Sequence, residues 1–505
     1  MSNQHRKNKK SFFGRPIWQN STKTIKVAPQ RYYQPESLQD VLEMVQEGID
    51  TKTPVRAVGS GHSFSDAPKA EGILIDTDKL NRLSGIYNFT NKQGHYFEVE
   101  GGIKVHELNA ALDKAGYCIP TMGGIDHQSI AGAISTGTHG SSLLFGAMSN
   151  MVKSIILVTH DLQDKSKAKT YRIERAGSNA LTNDPDYQGP ELIQDDDIFN
   201  SAVVCFGVMG IIFSYVLEVD KMYYLSEKKE VSEWKSVLPK LRDGSIFDNH
   251  RSVFVQVNPY KFKGKNLTLV VYHDDYATCD RNMFLERLKH GFWHRLKRFS
   301  RSFSFELVSR FPYLLWFAIW RINTFPNYVP RFLNTAVKSQ RDEEYFNKGY
   351  KVMYQGLDYV KERAFDCEIA VPMDPEGNYL DTVEALMEYL GNLREEYKMH
   401  ITSPLGLRFI KGSEVFLTPE HGEDVCYIDT PALLHVYGRD TIISRIQQFL
   451  LSRGAKPHWG KLNQYMDVDY VKTRYPRFDD FMRVIEKFNA TGIFYNIFTK
   501  RILGR

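Results

Sequence analysis

Cysteine is scarce in this chain, and nothing in its placement suggests a metal or a disulfide framework. Five occur in 505 residues, namely Cys118, Cys205, Cys279, Cys367 and Cys426. They are scattered, odd in number and without CxxC spacing. They read as reduced core thiols of a cytoplasmic protein, and no bound metal is expected. Long apolar runs are missing too. A spanning helix needs about 20 apolar residues, whereas the run at 311–320 has ten, is interrupted by Pro312 and is closed by Arg321. No apolar core follows the polar, basic start at 1–10, which excludes a secretory signal and suggests a disordered tail. One sign of charge does not dominate either. The 65 basic and 60 acidic residues leave a net charge of +5, so nucleic-acid binding is not indicated. Internal repeats and low-complexity tracts are also absent.

An ordinary hydrophobic fraction of 42% and a charged fraction of 25% describe a folded globular protein. Its length is too great for one core and suggests two or three domains. The most informative residues are glycines. Residues 54–58 read as a buried strand that empties into Val58-Gly59-Ser60-Gly61-His62-Ser63, a turn able to turn backbone N–H groups toward an anion such as a diphosphate. Gly59-x-Gly61-x-x-Phe64 lacks the third glycine of the dinucleotide fingerprint, and residues 63–68 start a helix poorly, so a Rossmann unit is excluded. An ordinary strand-to-loop turn remains open for this segment alone. The second segment holds five glycines between Gly123 and Gly140, interleaved with Ser and Thr and short of charge. Small residues of that kind admit a flat ligand close to the backbone.

Six pieces together resemble, in order, a known family: residues 56–63, 128–132 (Gln-Ser-Ile-Ala-Gly), 135–140 (Ser-Thr-Gly-Thr-His-Gly), 207–212 (Gly-Val-Met-Gly-Ile-Ile), 368–372 (Glu-Ile-Ala-Val-Pro) and 457–461 (Pro-His-Trp-Gly-Lys). The family is that of the flavin oxidoreductases related to vanillyl-alcohol oxidase, with the aldonolactone and alditol oxidases nearest, and the likeness covers most of the chain. It implies an α+β protein: a two-subdomain, PCMH-type FAD-binding domain plus an α+β substrate cap on an antiparallel sheet. The expected divisions are a tail at 1–25, the FAD-binding domain at 26–221, the cap at 222–430, and a segment at 431–505 that returns to the flavin.

By the same resemblance FAD lies with its diphosphate over Val58, Gly59, Ser60, Gly61 and Ser63. Its ring lies near Gly123, Gly124, Ser129, Gly132, Ser135, Thr136, Thr138, His139 and Gly140, and its adenine end meets Gly207, Gly210, Ile211 and Ile212. In many relatives the histidine at the position of His62 is bonded covalently to the flavin. Oxidising a carbon that bears a hydroxyl also requires a hydride acceptor, a route for the hydroxyl proton, and positive charge beside the developing alkoxide. The resemblance assigns Lys461 and Arg408 as the cations, His435 as an active-site histidine, and Glu368 to a structural or substrate-side role. One departure concerns specificity. Alditol oxidases and animal-type lactone oxidases carry a glutamate two residues before the arginine, where this chain has Gly406. Glu414 is a candidate substitute, and Tyr437 stands where a smaller hydroxyl residue is expected.

The implied reaction is oxidation of an aldonolactone, alditol or related polyol, with oxygen as acceptor or with another acceptor in a dehydrogenase. A hydrophobic alcohol such as a sterol or lipid-linked sugar, and a flavin-binding module without catalysis, are the alternatives. The basic, aromatic stretch 290–321 is either a peripheral membrane contact or a buried part of the cap.

Overall fold

The computed structural model describes residues 16–87, 94–184, 186–276, 312–338, 340, 344–355, 364–374, 376–433 and 435–505. Its first layer is the βαβ opening that the apolar spacing predicts. Ser37 caps the helix Leu38–Asp50 through a capping box with Asp40, and Val41 and Val45 of that helix pack against Val55, Ile73 and Ile75. The strands Arg31–Tyr33, Ile73–Asp76 and Val55–Val58 form a parallel sheet in that spatial order. The ordered chain starts earlier than the tail expected at 1–25. Strands Trp18–Gln19 and Lys26–Val27 pair as a hairpin, Trp18 is buried, and the backbone N–H of Ser21 donates to the Gly61 carbonyl at 2.7 Å. An indole and backbone donors at 16–27 give this segment partners that composition alone did not reveal.

A seven-stranded sheet follows, centred on Val152–His160, Ile211–Lys221 and His95–Glu100. Helix Val105–Ala115 ends at Gly116, whose positive φ of 86° makes it the C-cap. The cap domain is an eight-stranded, wholly antiparallel sheet in the order Glu344–Lys348, Tyr224–Glu233, Leu267–Asp275, Ser252–Val257, Leu405–Ile410, Val425–Asp429, Glu368–Pro372, Lys456–Pro457. Side chains alternate faces along a strand, and here the alternation divides the labour. Val255, Leu407, Phe409, Cys426, Ile428 and Ile369 pack with helices Asn378–Tyr397 and Arg439–Leu451 in one apolar core. The opposite face, with Ile410, Val425, Tyr427 and Ala370, meets Ala147 of the FAD-binding half.

The expected boundary at 430 therefore shifts. Ile442, Ile443, Ile446 and Leu450 belong to the cap core, because the amphipathic helix at 439–451 needs that sheet face to bury its stripe. Only from about Trp459 and Met466 onward does the chain rejoin the first domain, where Tyr475, Phe481, Phe488 and Phe498 enter the same core as Phe97, Ile155 and Tyr171. Cys118, Cys205, Cys367 and Cys426 are buried free thiols, while Cys279 and residues 290–311 lie outside the described residues. Helix Pro312–Thr324 buries Ile319 and Ile322 but exposes Trp316, Phe317 and Trp320. Among the described residues no helix is long and apolar enough to cross a membrane.

Candidate active site

Three sequence-distant segments meet at the seam between the two halves. The Gly460 carbonyl accepts the backbone N–H of Phe64 at 2.8 Å and the Ser63 hydroxyl at 3.1 Å. This ties the first glycine loop, with half-buried His62, to the segment 457–461. A Cβ on Gly59 would fall 1.8 Å from Oγ of Ser129, so only glycine lets the first loop lie against the second segment. Ser129 precedes the short helix Ile130–Ser135, which carries Gly132 and Ser135, and Thr136 follows it. A Cβ on Gly460 would sit 3.2 Å from Oγ1 of Thr136, so the two glycine segments and the lysine segment converge. Gly123 faces Thr138 and Gly124 faces Gln355. Gly124, Gly140, Gln355, Phe254 and Arg408 line one cleft between the domains.

The residues present fit FAD. Arg56 lies in the strand ending at Val58 and is buried; burial lowers its guanidinium to about 10. Its Nη1 has no hydrogen-bond partner among the described residues and lies 3.4 Å from where a Cβ on Gly207 would stand. An open buried cation beside Gly207, at the turn leading through Gly210 to Ile211 and Ile212, suits the anionic or carbonyl groups of a dinucleotide.

On the cap side, one sheet face carries the charges. Glu368 is buried, with its carboxylate 3.6 Å from Nε of Arg408, 3.7 Å from Nζ of Lys461 and 3.6 Å from Nε2 of His139. Lys461 also forms an ion pair with Asp366. Burial opposes its charge, but Asp366 and then Glu368 outweigh burial and hold the ammonium above its ordinary value. His139 donates from Nδ1 to the Gly140 carbonyl at 3.0 Å and stacks on Tyr427 with ring centroids 3.8 Å apart. Burial, with Arg408 and Lys461 adding to it, depresses its pKa to about 3. His458 accepts the Gly460 N–H at Nδ1 and is likewise depressed by burial to about 3.

Lys461, Arg408 and Glu368 are thus brought together, whereas His435 is not. It is exposed in the turn between strand Ala432–Leu433 and the helix at 439, where its carbonyl accepts from Asn323. The apolar pattern around His435 belongs to a strand of two residues only. Glu414 is an exposed surface partner of Arg175, and Tyr437 is 61% exposed, so neither fills the place opened by Gly406. Sequence reasoning missed Asp366, Asp429 and His458. Asp366 and His458 flank residues already singled out, and Asp429 becomes visible only through strand register.

The arrangement defines a two-domain flavin-binding oxidoreductase fold. In structure it is similar to a cholesterol oxidase from B. sterolicum, with a TM-score of 0.68, 12% identity and 96% of each chain covered. An FAD binding domain model matches residues 29–161 and a D-arabinono-1,4-lactone oxidase model matches residues 217–502. The chain belongs to the D-arabinono-1,4-lactone oxidase family and is an FAD-dependent oxidoreductase. It is 26% identical to mouse (Mus musculus) L-gulonolactone oxidase across 96% of this chain and 98% of that one. Mycobacterium tuberculosis L-gulono-1,4-lactone dehydrogenase is 24% identical, across 97% and 99%.

The buried histidines carry a pH signature. Folded, His458 and His139 stay neutral down to about 3, whereas unfolded histidines take up protons near their ordinary 6.5. Between those values the unfolded chain binds more protons, so stability falls as pH falls. Glu420, pushed up by burial to about 7, acts in the opposite sense, losing stability as pH rises toward 7. A His458→Gln variant should therefore show a smaller drop in unfolding midpoint between about pH 7 and pH 5 than the parent; equal drops would refute this account.

Proposed function

We propose that the enzyme removes a hydride from a hydroxyl-bearing carbon of an aldonolactone or related polyol, with oxygen as the electron acceptor. The observation that supports this reading most is the convergence of Lys461 and Arg408 on the buried Glu368, beside the second glycine segment and an interdomain cleft. The activities named for the full-length relatives support a lactone as the substrate class. FAD, when bound, supplies the hydride acceptor, and residues 58–63, 123–140 and 207–212 would hold it.

The remaining chemistry falls to this chain's own side chains. Lys461 is held charged by its carboxylates, so its role is to stabilise developing negative charge rather than to accept a proton. Arg408 presents a second cation at the cleft, braced by Gln355 at 3.1 Å and stacked over Phe254 at 4.6 Å. Glu368, between the two cations, orients both and is the carboxylate we assign to receive the hydroxyl proton. Arg251, His273, Gln355 and Arg408 place polar groups in a cleft otherwise lined by Met122, Phe145, Leu225, Phe254 and Met353, and those groups support a hydroxylated sugar derivative as substrate.

His62 shares its loop with two groups pinned to Gly460, and this anchoring supports its role as a covalent tether for the flavin. The exposed aromatics Trp316, Phe317, Trp320 and Phe325 support peripheral contact with a membrane surface, as amphipathic aromatic faces do.

Anaerobic mixing with a panel of lactones, polyols and sterols should bleach the flavin with a lactone or polyol; bleaching by sterols alone, or by nothing, sinks the reading. Rapid return of colour on admitting air is expected of an oxidase, and slow return would make it a dehydrogenase. Lys461→Met should slow reduction by about 10²–10³-fold, measured per bound flavin. On acid precipitation the parent should keep its flavin in the pellet while His62→Ala releases it; release from both disproves the tether. In flotation with anionic vesicles, the parent should rise with the lipid and a Trp316→Ser, Trp320→Ser double variant should stay behind; if both stay behind, the membrane contact is wrong.

A further inference from the structure

Gly406 sits in a sheet face whose other members carry the chemistry. Strand register sets Gly406 opposite Asp429 on one side and Gln256 on the other. Asp429 in turn is opposite Glu368. Two residues along, Arg408 is opposite Tyr427 and Phe254, so Arg408, Asp429 and Glu368 share the face that looks toward the FAD-binding half. Gly406 alone among them has no side chain, and its neighbours occupy the room. A Cβ there would lie 3.2 Å from Cβ of Asp429, 3.6 Å from its Oδ2 and 3.4 Å from Cε2 of Phe254, and Phe254 lines the cleft.

Asp429 is also the carboxyl in this cluster that forms no ion pair with Lys461 or Arg408. Asp366 is committed to Lys461, and Glu368 stands between Arg408, Lys461 and His139. The Asp429 and Asp366 carboxyls share a hydrogen bond, and Oδ2 of Asp429 lies on the side of Gly406, 3.6 Å from where a Cβ there would stand.

We propose that Asp429 is the specificity-determining group that reads a substrate hydroxyl, its carboxyl standing one strand over from position 406, where glycine leaves it room. The proposal rests on the polyol or lactone reading above and names the contact that ranks substrates within that class. Burial, then the neighbouring Asp366 and Glu368, push the Asp429 carboxyl well above the usual carboxylate range. With the shared proton lying between Asp429 and Asp366, Oδ2 meets a substrate hydroxyl as an acceptor, a capacity that an amide oxygen shares.

The test uses the flavin-loaded protein and a panel of lactones and polyols that differ in the configuration of single hydroxyls. Asp429→Ala should raise KM by about tenfold or more for the preferred member, change kcat much less, and flatten the ranking of epimers. Asp429→Asn should restore most of the parental KM and ranking. Gly406→Ala, which presses on both Asp429 and Phe254, should disturb the same ranking. Flavin content and unfolding midpoint are measured on each variant. Parental KM and ranking in Asp429→Ala overturn the proposal, as does an equal loss in the Ala and Asn variants. Loss of flavin from both also overturns it, since the group would then hold the fold rather than the substrate. If the parent itself is reduced by no member of the panel, the functional reading fails, and that result is distinct from any difference among variants.

Discussion

The ion-paired, half-buried charge of Lys461 is the constraint on which the seam between the two domains depends. A lone ammonium at such a site costs several kcal/mol, so Asp366 and Glu368 must both be within reach. That requirement fixes backbone as well as side chains. The His458 N–H donates to the Glu368 carbonyl at 2.9 Å, and Leu462 N–H to the Asp366 carbonyl at 3.1 Å, clamping 458–462 to the strand that carries the carboxylates. The same clamp presents the Gly460 carbonyl to Ser63 and Phe64. One ion-paired lysine thus joins the first glycine loop, the cap sheet and the C-terminal segment.

What could be read in the sequence was what is encoded locally. The helix at 38–50 declares itself through Ser37 and its apolar spacing, and the helix at 105–115 through Gly116. The glycine loops declare themselves through residues small enough for close backbone approach. Lys461, Arg408 and Glu368, which the fold brings together, each sit inside a short motif. Asp429 was not, because its neighbours Gly406 and Glu368 are 23 and 61 positions away in the chain and become adjacent only when the sheet register is set. His435 shows the converse error: an apolar pattern around a histidine resembled a site strand, yet the strand there is two residues long and the imidazole faces outward. The boundaries at 25 and 430 were misplaced for a related reason, since Trp18 and the stripe of helix 439–451 find their partners only in three dimensions.

The cap sheet separates stability from chemistry by strand periodicity. Leu407, Phe409, Cys426 and Ile428 face the helices, while Arg408, Tyr427, Asp429 and Glu368 face the flavin half. A one-residue slip would exchange the two sets. The slip is opposed by Ser141 and Ser142, which tie the FAD-binding half to the sheet backbone. Ser142 donates to the Arg251 carbonyl at 2.8 Å, and the Phe409 N–H donates to Oγ of Ser141 at 3.1 Å. The hydroxyls that follow the second glycine segment therefore also set the register that aims Arg408 at the cleft.

Charge within the cluster argues for the kind of molecule it takes. Lys461 and Arg408 supply two positive charges, and the carboxylates of Asp366 and Glu368 supply two negative ones. Burial and those carboxylates push the Asp429 carboxyl well above the usual carboxylate range, and burial pushes His139 and His458 down to about 3. The site is thus balanced before any substrate arrives. A substrate that brought its own carboxylate would leave one charge uncompensated in a buried place, whereas an uncharged lactone or polyol would not. Charge then develops only as the hydroxyl proton and the hydride leave, next to a lysine that is already in position and already charged. That is the condition under which fixed electrostatics lowers a barrier without also tightening the ground state.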